Sequence, residues 1–184
     1  MAFEFAFLDW LQGLRCGFLD YWMPKITFLG NGGVFWILLS LVLLCFSKRR
    51  KTGIAMAVSL LFCLICGNLV LKPLVARLRP CDLNRAVELL IARPADYSFP
   101  SGHTFASFAS ITVLFLMERK AFWIPALVLG TLITFSRLYL YVHYPTDILG
   151  GIILGVSLGL LAVFLIRRFF PGSTGKGNDY DKTN

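Results

Sequence analysis

Long apolar stretches run through this chain, separated by short charged ones. A helix needs about 20 mostly apolar residues to cross a bilayer. Five stretches meet or approach that length: residues 26–46, 53–71, 102–117, 121–141 and 147–166. Charge marks their ends. Lys48-Arg49-Arg50-Lys51 closes the first, Lys72 the second, Glu118-Arg119-Lys120 the third and Arg167-Arg168 the fifth, while Arg137 interrupts the fourth. The short charged loops predict antiparallel helix hairpins. Lipid offers no water to unpaired backbone groups, so the segments are read as a helical bundle.

Residues 1–24 pattern differently. Glu4, Asp9, Gln12, Arg15 and Asp20 recur among Phe7, Leu8, Leu11, Leu14, Phe18 and Leu19. That predicts an amphipathic helix lying in the membrane interface, with a sixth span as the alternative. Trp10, Tyr21 and Trp22 suit headgroup depth, and Pro24 is expected to end the helix. The expected fold class is thus an all-α integral membrane protein with five to six transmembrane helices and an N-terminal amphipathic helix. One domain is expected over residues 1–170, with the 72–103 segment an external loop. Residues 171–184, rich in Gly and Asp, read as a disordered cytoplasmic tail.

Composition agrees. Of 184 residues, 57% are hydrophobic and 15% charged, with a mean hydropathy of +0.72. A soluble domain has roughly half apolar and about a quarter charged residues. A soluble enzyme, a disordered chain and a disulfide-stapled module are therefore disfavoured. The five cysteines are odd in number and irregularly spaced, and the Cys63–Cys66 pair lies inside an apolar run, so a helix-buried role outweighs redox or metal chemistry. Glu4 and Asp9 stand where a cleavable secretion signal would be basic, so none is expected.

The net charge of +8 suggests a nucleic-acid binder until the basic residues are sorted by side. Ten of the eighteen fall on the side of Lys48–Lys51, Arg119-Lys120, Arg167-Arg168, Lys176 and Lys182. The positive-inside rule makes that side cytoplasmic and the opposite side external or periplasmic. Lys72, Arg77, Arg79 and Arg137 sit at or inside the outer helix ends, where a charge within the span costs about 2.5–3.5 kcal/mol. One such residue can snorkel. Four around one face call for an anion, and the outer loop has only Asp82, Glu88 and Asp96 to supply one. A bound phosphate fits better, and the basic residues flank the membrane rather than form a soluble nucleic-acid face.

The only two histidines lie on that outer side. His103 follows Pro100-Ser101-Gly102, a turn into a helix that can present N–H groups to an anion. His143 precedes Asp147 by four residues. Asp147 can cap its helix and accept from the imidazole, fixing the tautomer and freeing the other nitrogen to attack.

Three motifs carry a resemblance. Lys72 is followed after six residues by Arg79-Pro80; then comes Pro100-Ser101-Gly102-His103; then Ser136-Arg137, five residues, His143, three residues and Asp147. In this the chain resembles the type 2 phosphatidic acid phosphatase (PAP2) superfamily of membrane lipid phosphatases. Arg77 matches a frequent family preference. The resemblance implies that His143 attacks phosphorus, forming a phosphohistidine, while Asp147 orients it. His103 would protonate the leaving oxygen and then activate water. Lys72, Arg79 and Arg137 would hold the phosphoryl oxygens with N–H groups of Ser101 and Gly102, supported by Arg77, Pro80, Pro100 and Ser136. No metal and no cofactor is implied. The expected partner is a lipid phosphate entering from the bilayer, foremost undecaprenyl diphosphate, with phosphatidic acid or phosphatidylglycerophosphate as alternatives. A lipid phosphotransferase and a non-catalytic lipid binder are the readings from other classes. The oligomeric state stays open, a homo-oligomer included.

Overall fold

The computed structural model describes residues 2–171, and every regular element among them is helical. The expected tail over 171–184 lies almost wholly outside the described residues. In chain order the helices are α1 (Ala2–Gln12), α2 (Gly17–Leu29), α3 (Val34–Cys45), α4 (Arg50–Phe62), α5 (Lys72–Val75), α6 (Pro80–Leu83), α7 (Gly102–Met117), α8 (Lys120–Tyr139) and α9 (Pro145–Phe169).

Three helical stretches are long and apolar enough to cross a membrane: Ser47–Leu83, Lys120–Tyr139 and Pro145–Phe169. The pair formed by Gly17–Leu29 and Asn31–Cys45 makes a fourth if its bend of 41° lies within one span. This corrects the expectation of a continuous helix over 26–46. Gly32 and Gly33 both take positive φ at the bend, a conformation that glycine adopts without a Cβ penalty. The N-terminal expectation is also corrected. Residues 2–29 form two helices that part at residues 13–16, and Pro24 lies inside α2 instead of ending it. Proline removes one backbone donor and crowds the preceding turn, which disfavours a helix interior without forbidding it. Helix α7 keeps its expected bounds but has 16 residues, about 24 Å at 1.5 Å each.

Helix α7 is the centre of the bundle. Ten of its residues from Thr104 to Leu114 are buried, and α3, α4, α8 and α9 pack around it. Its contact with α9 depends on small residues. Gly151, Gly155 and Gly159 recur every four residues on one face of α9. A Cβ at Gly155 would lie 2.7 Å from the Phe105 carbonyl oxygen, and one at Gly159 would lie 2.8 Å from that of Ala109. In lipid, where apolar surface alone does not drive helices together, such close backbone packing holds pairs of helices. On the other flank the buried Trp36 Nε1–H donates to Ser107 Oγ (3.0 Å), which donates to the His103 carbonyl (2.7 Å).

At one end the charged loops gather. Arg49 pairs with Glu118 (3.3 Å), Thr52 Oγ1 donates to Glu118 (2.8 Å), and Arg167 Nη2 donates to the Leu116 carbonyl (2.9 Å). The motif residues gather at the opposite end. Gly155→Ala is expected to destabilise the bundle by about 1–3 kcal/mol through overpacking. Gly17→Ala, which adds a Cβ into open space, is the control. Unfolding midpoints in detergent check this; equal midpoints would count against close packing of α7 on α9.

Candidate active site

The polar chemistry is built by the ends of three helices and the 84–101 connection. Helix α4 continues through a π-helical stretch, Cys63–Leu71, in which the Lys72 N–H bonds back to the Gly67 carbonyl. The widened turns change the direction in which Lys72 leaves the helix. Ala76 then adopts a left-handed conformation and ends α5. The chain so delivers Arg77 and Arg79 to different sides of the next turn. At the end of α8, Tyr141 also has positive φ, a strained position for a non-glycine residue. Its hydroxyl donates to Asp9 (2.7 Å) and accepts from Asn84 (3.3 Å), which fasten the turn carrying Val142 and His143.

His143 is 1% exposed. Its Nδ1 lies 3.5 Å from Asp147 Oδ2, and its Nε2 lies 3.0 Å from Arg79 Nη1. A guanidinium only donates, so Nε2 carries the lone pair and the proton belongs on Nδ1, facing Asp147. Burial, with the charges of Arg79, Arg137 and Lys72, holds this imidazole well below its ordinary value, and it is neutral at neutral pH. Asp147 sits at the third position of α9, where Oδ2 also accepts from the Tyr144 N–H (2.9 Å). Ser98 Oγ donates to the same oxygen (2.5 Å).

Lys72, Arg79, Arg137, Gly102, His103 and His143 line one cavity of about 390 Å³. Arg137, 3% exposed, donates to Thr27 Oγ1 (2.7 Å), and its Nε has no partner among the described residues. His103 Nε2 is hydrogen-bonded to Asn31 Oδ1 (2.9 Å). Asp96 closes the set. Its carboxylate bridges Lys72 Nζ and Arg79 Nη2, the latter at 2.7 Å. Burial works to raise this carboxyl, but Lys72 and Arg79 outweigh it and draw it down to about 2. Among the described residues no three His, Cys, Asp or Glu side chains cluster as metal ligands. The cavity adjoins a second of about 520 Å³, and Lys72, Asp96, Gly102 and His103 border both. The second runs between α3 and α4 past Ile37, Leu41, Leu61 and Leu64, all between 43% and 52% exposed.

The expectations divide accordingly. Lys72, Arg79, Arg137, Gly102, His103 and His143 come together, with Asp147 behind His143. Arg77 does not join them. It binds Asp147, Glu4 and Thr146, so the expected fourfold convergence of cations is a threefold one. Ser101 also departs from its expected role. Its N–H donates to the Asp147 carbonyl (3.3 Å), tying α7 to α9, which leaves the Gly102 N–H at the helix start for an anion. Ser136 Oγ donates to the Ile133 carbonyl (2.6 Å), while Pro80 and Pro100 are buried at the turns beside Arg79 and Ser101. Sequence reasoning passed over Asn31, Ser98 and Glu4, and it set Asp96 aside as too little charge to balance the cations. Only Asp96, three residues after Arg93 in the acid-poor loop, gave a signal that could have been followed.

The sequence and the fold are similar to those of known proteins. The chain is 35% identical over 128 residues to the undecaprenyl-diphosphatase of Sulfolobus acidocaldarius, covering 70% of this chain and 62% of that relative's length. The crystal structure of Aquifex aeolicus LpxE superposes with a TM-score of 0.78 at 26% identity, covering 89% of this chain and 96% of the other. The crystal structure of a transmembrane PAP2-type phosphatidylglycerolphosphate phosphatase from Bacillus subtilis gives 0.75 at 26% identity, covering 94% and 88%. Residues 52–171, which hold all three motifs, match the PAP2 superfamily, and this chain belongs to it.

Proposed function

We propose that this chain is a membrane lipid phosphatase that releases phosphate through a phosphohistidine at His143. The observation that carries the reading is the His143 imidazole, buried and neutral, with its Nε2 lone pair facing Arg79 in a cavity that Lys72 and Arg137 also line. In-line attack by Nε2 forms the N–P bond and breaks the bond from phosphorus to the lipid oxygen. His103 gives that oxygen its proton. Water then attacks the phosphohistidine, His103 takes the water's proton, and phosphate leaves with His143 restored. Negative charge spreads over the phosphoryl oxygens, so positioned cations supply most of the stabilisation. Lys72, Arg79 and Arg137 meet that need, with the Gly102 N–H, as the phosphoryl group displaces the Asp96 carboxylate from Lys72 and Arg79. Asp147 stabilises the proton on Nδ1 while the ring becomes cationic.

The substrate proposed first is undecaprenyl diphosphate, hydrolysed to undecaprenyl phosphate. The undecaprenyl-diphosphatase relative supports this, as does an apolar groove beside the cations through which a lipid tail can reach from the bilayer. Phosphatidylglycerophosphate is the second reading, favoured by the Bacillus subtilis structure that matches 94% of this chain. With the basic loops gathered at the end opposite the site, the positive-inside rule supports a site on the external or periplasmic face of the cell membrane.

Purified protein is expected to release phosphate from one of undecaprenyl diphosphate, phosphatidylglycerophosphate or phosphatidic acid. His143→Ala should lower that rate by more than about 10³-fold, as loss of a nucleophile does. Transfer of phosphate to an added lipid or sugar, with none freed, would show a phosphotransferase instead. The pH–rate profile should show an acidic limb below the roughly 6.5 of an ordinary histidine, because His143 must be neutral and its environment disfavours the charged form. Asp96 stays ionised throughout that range and contributes no limb. Activity should survive EDTA; inhibition reversed by Mg²⁺ would contradict a site that stabilises phosphoryl oxygens with side-chain cations.

A further inference from the structure

Behind the catalytic pair lies a buried acid that the reaction above does not use. Glu4 is on α1, the N-terminal helix, and is 8% exposed. Arg77 Nη2 donates to both of its oxygens, at 3.0 and 2.9 Å. The other arm of the same guanidinium donates to Asp147 Oδ1 (2.6 Å) and to Thr146 Oγ1 (2.7 Å). Thr146 Oγ1 in turn donates to Glu4. The guanidinium lies 4.0 Å from the centre of the Tyr144 ring, so its plane is fixed as well. One cation is thus shared between two carboxylates, and one of those carboxylates faces the His143 imidazole.

The sharing has an electrostatic consequence. Asp147 is fully buried, with Arg77, Ser98 and the Tyr144 N–H already bound to it. A lone guanidinium at 2.6 Å would cancel much of the negative field that His143 needs as its ring becomes cationic. A second carboxylate on the far side of Arg77 offsets the cation and leaves Asp147 its charge. Burial acts to raise the Glu4 carboxyl, but Thr146 and Arg77 outweigh it and hold it below the usual range, so it is ionised.

We propose that Glu4 is a positioning residue for catalysis, acting through Arg77 to set the charge and orientation of Asp147 behind His143. Helix α1 is then part of the catalytic apparatus as well as a membrane-interface element. Its Leu8 and Leu11 are buried on the bundle, while Phe3 and Trp10 on its other side are exposed. The assignment rests on His143 as the nucleophile.

The test compares Glu4→Gln with Gln12→Ala in the full chain, using the lipid substrate that the wild type hydrolyses. Gln12 also fastens α1, donating to the Tyr139 carbonyl (2.9 Å), but touches neither Arg77 nor Asp147. Glu4→Gln should lower kcat by about tenfold, the scale on which a partner behind a reacting group counts, with KM within about twofold of wild type. The acidic limb should move to lower pH, because removing a negative charge disfavours the charged His143. Gln12→Ala should lower the unfolding midpoint but leave the limb where it is. Glu4→Asp, which keeps the charge, should restore the limb and part of kcat. An unchanged kcat and limb in Glu4→Gln, or the same changes in Gln12→Ala, would overturn the proposal. If Glu4→Gln does not fold, Glu4→Asp decides alone: its longer reach to Arg77 must lower kcat, and a full wild-type kcat overturns the assignment. A wild type inactive on every lipid phosphate, or a fully active His143→Ala, would instead undo the phosphatase reading on which this one rests.

Discussion

Arg79 is 2% exposed, and each arm of its guanidinium has a partner. Nε donates to the Asp96 carbonyl, Nη1 to the Val142 carbonyl and His143 Nε2, and Nη2 to the Asp96 carboxylate and, more weakly at 3.3 Å, the Tyr97 carbonyl. A buried charge persists only when it is paired and hydrogen-bonded this fully. Those bonds join the 84–101 connection, the turn between α8 and α9, and the end of the α4–α6 stretch. The site exists because these segments share one cation. The same cation selects the tautomer of His143, since it can only donate to Nε2.

The bundle serves that requirement. Helix α7 delivers Gly102 and His103 at its first turn, and its depth among the others is set by glycines on α9 and by the Trp36–Ser107 bond. A shift of α7 along α9 would move His103 and Gly102 away from Lys72 and Arg137. The π-helical stretch before Lys72 does similar service on α4, since a regular α-helix would send Lys72 off in another direction. The apolar groove and the cationic cavity meet at Lys72, Asp96, Gly102 and His103, so the tail and the phosphate of one lipid can be held together.

Charge is layered outward from His143. Arg79 stands at its Nε2, with Lys72 and Arg137 lining the same cavity; Asp147 stands on its Nδ1 side, Arg77 lies beyond Asp147, and Glu4 lies beyond Arg77. The sign alternates from Asp147 through Arg77 to Glu4, and this alternation sets each of these buried charges beside its opposite, which lowers their desolvation cost. It also separates two arginines only two residues apart. Arg79 turns to His143 Nε2 and Asp96, and Arg77 to Asp147 and Glu4, because Ala76 turns left-handed just before them.

The all-helical membrane class, the clustering of basic residues at helix ends, and the three motifs with the family they belong to were legible in the sequence alone. Those features depend on run length, charge and spacing, all of them local to the chain. It also pointed to His143 and Asp147 as neighbours, because four residues on or near a helix bring side chains together. The break at Gly32 and Gly33, the passage of α2 through Pro24, and the parting of Arg77 from Arg79 emerge from the three-dimensional packing. It alone brought Glu4 and Asp96 into the site, across separations of 73 and 17 residues to their arginines. Pairing of buried charges is a property of three-dimensional packing, and spacing along a chain does not encode it.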